Sequence, residues 1–143
     1  MSVQMVLLPV FVLVALAFAL FFGMARNRIR AMKNGQANPN DVLAGTVKWP
    51  SRAAQFGDCF RNQFEIPVLF YALIAIGLPL RRIDLVLVLL SWVFVITRYA
   101  HAGIFVTTNG LQPRAMAWFS GVLVLMAMWI YFALKMLLAA VAI

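Results

Sequence analysis

The chain has 143 residues, 65% of them apolar and 11% charged, with a formal net charge of +8. A soluble domain averages about 45–50% apolar and about 25% charged residues, so a water-exposed globule of this size has no means of hiding its apolar surface. The same hydrophobicity, the eight glycines and the single Cys59 exclude disorder, a collagen-like fibre and a disulfide scaffold.

This is the composition of an all-α integral membrane protein, and four apolar spans are expected at residues 4–25, 53–78, 84–106 and 113–140. Within the first, Gln4 to Met24 carries no charge, enough to cross a hydrocarbon core of about 30 Å at about 1.5 Å per residue. It lacks a basic leader and a small-residue cleavage site before Arg26, so it reads as a retained helix. Pro9 is placed in its first turns, where a missing N–H matters least. A polar loop follows, punctuated by Gly35, Asn38-Pro39 and Trp49-Pro50. Thr107 to Gln112 form a short polar turn, and Pro113 suits a first helical position. There is no internal repeat, and the chain is a single membrane domain.

Basic residues set the orientation. Arg26, Arg28, Arg30, Lys33, Lys48 and Arg52 follow span one, and Arg114 follows span three, whereas only Arg81 and Arg82 lie in the loop between spans two and three. The positive-inside rule places both termini outside the cytoplasm, with Lys135 snorkelling outward from span four. In an apolar chain this basic character is topological and attracts anionic lipid headgroups. No basic run accompanies a soluble fold, so nucleic acid is not an expected partner. No His/Cys cluster has metal-ligand spacing.

Ionisable residues inside apolar spans are costly and mark function. Span two holds Gln55, Asp58, Arg61, Asn62 and Glu65, spaced to share one helical face. Glu65 is about eleven residues into that span, roughly 15 Å from its start, and Arg61, four residues away, is placed to neutralise it. Pro67 is expected to loosen the backbone near Gln63 and kink the helix. Span three carries Arg98 and His101 three residues apart, with Phe105 a turn further on, and Arg114 opens span four. Each residue alone has an ordinary structural reading, as an intrahelical pair, a snorkelling arginine or a packed histidine. Their matching depth in different spans points to a shared polar site, and its excess of arginine suits a carboxylate-bearing ligand.

These residues resemble the MAPEG family, membrane-associated proteins in eicosanoid and glutathione metabolism, in a bacterial-type form. Arg61-Asn62-Gln63-Phe64-Glu65 looks like the family's R-N-x-x-E stretch, Arg98-Tyr99-Ala100-His101 like its R-x-x-H, and Ala37-Asn38-Pro39-Asn40-Asp41 like its A-N-P-x-D turn. Arg114 falls at the spacing of the arginine that opens the fourth helix. The resemblance implies a four-helix bundle, a homotrimer, and glutathione held by Arg61, Asn62, Glu65, His101 and Arg114. Arg30 is a further candidate from span one (with Arg26 or Arg28 as alternatives), Arg98 and Asp58 support the site, and no metal is involved.

Arg114 would be the catalytic group in transferase or peroxidase chemistry on a lipophilic substrate arriving through the bilayer. Phe105, Ala115 and Trp118 depart from the hydroxyl-bearing residues that are common in glutathione-using members. The alternative is therefore a non-catalytic membrane scaffold or accessory subunit that keeps the fold. The expected location is a bacterial inner membrane.

Overall fold

A computed structural model describes residues 2–141, with side chains to residue 138. Among the described residues all regular structure is helical: α1 (Val3–Lys33), short α2 (Pro39–Ala44), α3 (Ser51–Arg61), a 3₁₀ turn (Asn62–Phe64), α4 (Ile66–Gly77), α5 (Leu85–Val106) and α6 (Leu111–Val141). Four stretches are long and apolar enough to cross a membrane: α1, Ser51–Gly77, α5, and α6 to Leu138.

The buried faces follow a seven-residue rhythm. In α1 the buried stripe is Val6, Pro9, Leu13, Leu16 and Leu20. In α5 it is Leu87, Ser91, Phe94, Arg98 and His101, and in α6 it is Gly121, Leu125, Met128 and Phe132. Steps of three and four keep one seam of each helix turned toward its neighbours, as in a left-handed bundle. Lipid is as apolar as this core, so close packing rather than burial from water selects the seam. At Gly121 an added Cβ would lie 2.9 Å from Thr97 Oγ1, so a larger residue would push α6 away from α5. Phe70 of α4 stacks on Phe94 of α5 at 5.1 Å between ring centres.

Several local expectations are corrected. The loop after α1 is not wholly irregular: Asn38 accepts a 2.9 Å hydrogen bond from the Asn40 N–H and starts α2, an N-cap with Pro39 in the first turn. Helix α6 begins at Leu111, two residues ahead of Pro113, and Arg114 N–H bonds the Gly110 carbonyl at 3.1 Å. Pro9 is the seventh helical residue rather than an end residue. It is buried in the α1 seam, and its missing N–H leaves the Met5 carbonyl without its usual donor.

Lys135 does not snorkel freely. Its Nζ donates to Asp84 Oδ2 at 2.6 Å and to the Arg82 carbonyl at 3.1 Å. Asp84 is the N-cap of α5, accepting from Leu87 N–H at 3.1 Å and from the Tyr131 hydroxyl at 2.6 Å. One carboxylate thereby ties the α4–α5 loop to α6.

Partial burial alone would raise the Asp84 carboxyl, but hydrogen bonds from Lys135, Tyr131 and Leu87 N–H, with the Lys135 charge, bring it down to about 2 from an ordinary 3.8. A carboxyl depressed by folding stabilises the fold above its unfolded value and loses that contribution as pH falls through the folded one. Asp84→Asn is thus expected to lower the thermal midpoint of the detergent-solubilised protein at pH 5. The gap from the unaltered protein should shrink as pH falls from about 4 to about 2, and a gap unchanged by pH would contradict the ionic role.

Candidate functional site

The second span is interrupted where its polar residues lie. A proline ring clashes with the carbonyl four residues back and offers no N–H, so Pro67 strains a helix at Gln63; α1 runs on through Pro9, but here the helix stops. The chain leaves α3 at Arg61, makes one 3₁₀ turn, passes Glu65 at φ −96° and ψ −107°, and restarts at Ile66 with Pro67 in the first turn. Sequence reasoning anticipates a kink here, and the structure has a full break. Backbone groups freed in a membrane must find partners within the protein. Gln63, 2% exposed, supplies one by donating its side-chain N–H to the Cys59 carbonyl at 3.2 Å.

The break aims Asn62 at α5. Its Oδ1 accepts from Arg98 Nη2, and its Nδ2 donates to Glu65 Oε2 at 2.8 Å. A neutral amide suits this place because it has an acceptor for the guanidinium and donors for the carboxylate. Arg98 is fully buried, and its Nε and Nη1 have no hydrogen-bond partner. Arg61 does not neutralise Glu65 as its spacing suggests. It faces Asp58 at 3.7 Å on the outside of α3, both side chains more than half exposed.

One turn beyond Arg98, His101 Nδ1 lies 3.1 Å from the Arg114 carbonyl. A carbonyl only accepts, so Nδ1 carries the proton, and in the neutral ring Nε2 is an acceptor. That Nε2 is buried without a partner. Arg114 donates from Nη1 to Asn109 Oδ1 at 2.5 Å and lies 4.5 Å from the Phe105 ring centre, a cation–π distance. Asn109 adopts φ +50°, a left-handed conformation that asparagine tolerates. Sequence reasoning does not single out Asn109 or Gln63, although the Asn109-Gly110 dipeptide is a turn signal.

Asn62, His101 and Arg114 line a common cavity of about 250 Å³. Its remaining walls are Phe105, Leu111, Ala115, Trp118 and Phe119, so no hydroxyl borders it. Arg98 stands behind Asn62, and Glu65 at its side. Arg61 and Asp58 line no part of this cavity. Arg30 is exposed and borders a separate cavity with Arg26 and Lys33 at the end of α1, whereas Arg28 packs 4.8 Å from the Trp49 ring centre. Arg52, at the start of α3, donates to the Val106 carbonyl at the end of α5, which fixes the two helix ends beside each other. Among the described residues, no cluster of His, Cys, Asp or Glu is arranged to hold a metal.

The MAPEG family model matches residues 6–134, nearly the whole chain. The chain belongs to the MAPEG family. No curated protein and no solved structure matches it. The MAPEG assignment agrees with the all-helical, four-span architecture. The three positions that depart from the family's hydroxyl-bearing residues, Phe105, Ala115 and Trp118, all fall on the wall of this one cavity.

Removing Asn62 should be far more damaging than removing Arg61. Asn62→Ala strips the buried Arg98 of its hydrogen-bond partner, which is expected to cost about 3 kcal/mol. Arg61→Ala breaks only an exposed pair worth at most about 1 kcal/mol. Reversible unfolding in mixed micelles measures both, and equal losses would show that the Asn62–Arg98 link is not what holds this corner.

Proposed function

We propose that this MAPEG protein binds glutathione in the cavity of Asn62, His101 and Arg114. We further propose that it works as a homotrimer with both termini outside the cytoplasm. The observation that carries the reading is the incompletely satisfied positive corner: Arg98 of α5 with two unpartnered nitrogens beside Asn62, and Arg114 of α6 on the cavity wall that Asn62 also lines. Desolvated guanidinium groups attract carboxylates strongly and bidentately. Glutathione has two carboxylates for this cationic corner, where Arg114 lines the cavity and Arg98 adds its charge from behind Asn62, and one ammonium for Glu65. Bound glutathione supplies a thiol, which acts as a nucleophile or reductant once ionised.

The chain's own residues can assist that ionisation. The cationic Arg114 favours a thiolate, and the acceptor Nε2 of His101 can take up a proton. The apolar remainder of the wall, Leu111, Trp118 and Phe119, suits a lipophilic co-substrate that enters from the bilayer. The concentration of Arg26, Arg30, Lys33, Lys48 and Arg52 at the cavity end of the bundle supports placing that end in the cytoplasm.

A second reading is favoured by a specific feature, the lack of any hydroxyl on the cavity wall. It holds that the protein keeps the fold and the ligand pocket as a non-catalytic membrane component. Calorimetry and a turnover assay with a chloronitrobenzene electrophile separate the two. Glutathione is expected to bind the purified oligomer, and Arg114→Ala to weaken it about tenfold to a hundredfold. Turnover abolished by the same substitution supports the enzyme. Binding without turnover supports the scaffold, and no heat with an intact oligomer overturns both.

A further inference from the structure

On the opposite side of the broken span, α1 and the segment around the break enclose a second cavity of about 280 Å³. It shares no lining residue with the Asn62–His101–Arg114 cavity, so a ligand here is independent of the glutathione reading. Its wall is built from five aromatic rings: Phe18 and Phe21 from α1, Phe60 from α3, Phe64 from the 3₁₀ turn, and Tyr71 from α4. Ala17 keeps the α1 side open. No charged group lines the cavity, and Gln63 and the Tyr71 hydroxyl are its only polar members.

Gln63 gives this cavity its chemistry. Its amide N–H is committed to the Cys59 carbonyl, which also fixes which way the amide faces, because only the nitrogen end can donate. The other end, Oε1, is buried and has no partner. An orphaned amide oxygen in a low-dielectric interior is costly, and a donor that reaches it recovers that cost. The break therefore creates both the space beside α1 and, on the Gln63 side chain that borders it, one unmatched buried acceptor.

We infer that this groove is a binding site for a bilayer-borne phenol, its O–H donating to Gln63 Oε1 and its ring packed among the five aromatic side chains. An aromatic guest suits these walls because edge-to-face contacts add to simple burial. A phenol is a stronger donor than an alkyl alcohol. A carboxylate is excluded, since it would meet no cation and an acceptor of its own kind. The volume is at the small end for ligand sites, which fits a single substituted ring with its alkyl chain trailing into lipid.

Photolabelling of the full-length protein in lipid nanodiscs tests this, using a diazirine-bearing alkylphenol and the same molecule as its methyl ether. The phenol is expected to label the peptides spanning residues 14–21 and 60–71 about tenfold more than the ether, the value of one buried hydrogen bond. Gln63→Leu should erase that preference. Because this substitution also uncaps Cys59, Ala17→Phe, which fills the groove and leaves Gln63 alone, should abolish labelling in a protein of unchanged stability.

Equal labelling by phenol and ether, as for an acyl chain that merely partitions there, overturns the inference. Labelling indifferent to Ala17→Phe does the same. So does efficient disulfide formation between chains carrying Phe18→Cys and Phe64→Cys in a Cys59→Ala background, since a second copy would then occupy the groove.

Discussion

The polar arrangement of the second span depends on one constraint: Pro67 withholds an N–H from Gln63 and crowds its carbonyl, and inside a bilayer the backbone groups that the break releases must be satisfied by the protein itself. The chain meets this by ending α3 at Arg61, using a 3₁₀ turn, and capping the Cys59 carbonyl with Gln63. The change of direction has two effects at once. Asn62 turns toward α5, where it joins Arg98 to Glu65. Gln63 turns inward and leaves its amide oxygen unmatched. Neighbouring residues thus serve opposite sides of the same interruption.

The polar residues of α5 use positions that elsewhere belong to packing. Ser91, Arg98 and His101 lie on the same seam as Leu87 and Phe94, so an ordinary bundle register carries them into the interior. Ser91 satisfies itself by donating to the Leu87 carbonyl at 2.7 Å. Arg98 and His101 are not fully satisfied that way, and each keeps buried nitrogens without a partner. A buried cation that reaches a carboxylate only through the Asn62 amide adds little to stability, in keeping with the proposed binding role.

Much of this was legible from the sequence. Length and hydropathy locate the four spans, since nothing else explains uncharged runs such as Gln4 to Met24. The grouping of Asn62, His101 and Arg114 follows from their matching depth in three consecutive spans. Contacts set by the break were not legible: Arg61 and Glu65 are four residues apart, but a ladder that stops between them removes the helical geometry on which pairing depends. Lys135 and Asp84 are 51 residues apart, beyond the reach of any local spacing rule. Arg30 borders a separate cavity near the end of α1, because its place in the sequence after span one fixes neither its exact height nor its angle around the bundle axis.

The lopsided distribution of charge also bears on biogenesis. The half of the bundle holding the Asn62–His101–Arg114 cavity contains nine of the twelve Lys and Arg residues and three of the four acids, leaving three cations and Asp84 in the other half. To invert the protein after insertion, a large net positive charge would have to be dragged through hydrocarbon and, with that half on the cytoplasmic side as proposed, against a field worth about 2.3 kcal/mol per elementary charge per 100 mV. Once the bundle is inserted, this asymmetry keeps thermal motion from reversing it.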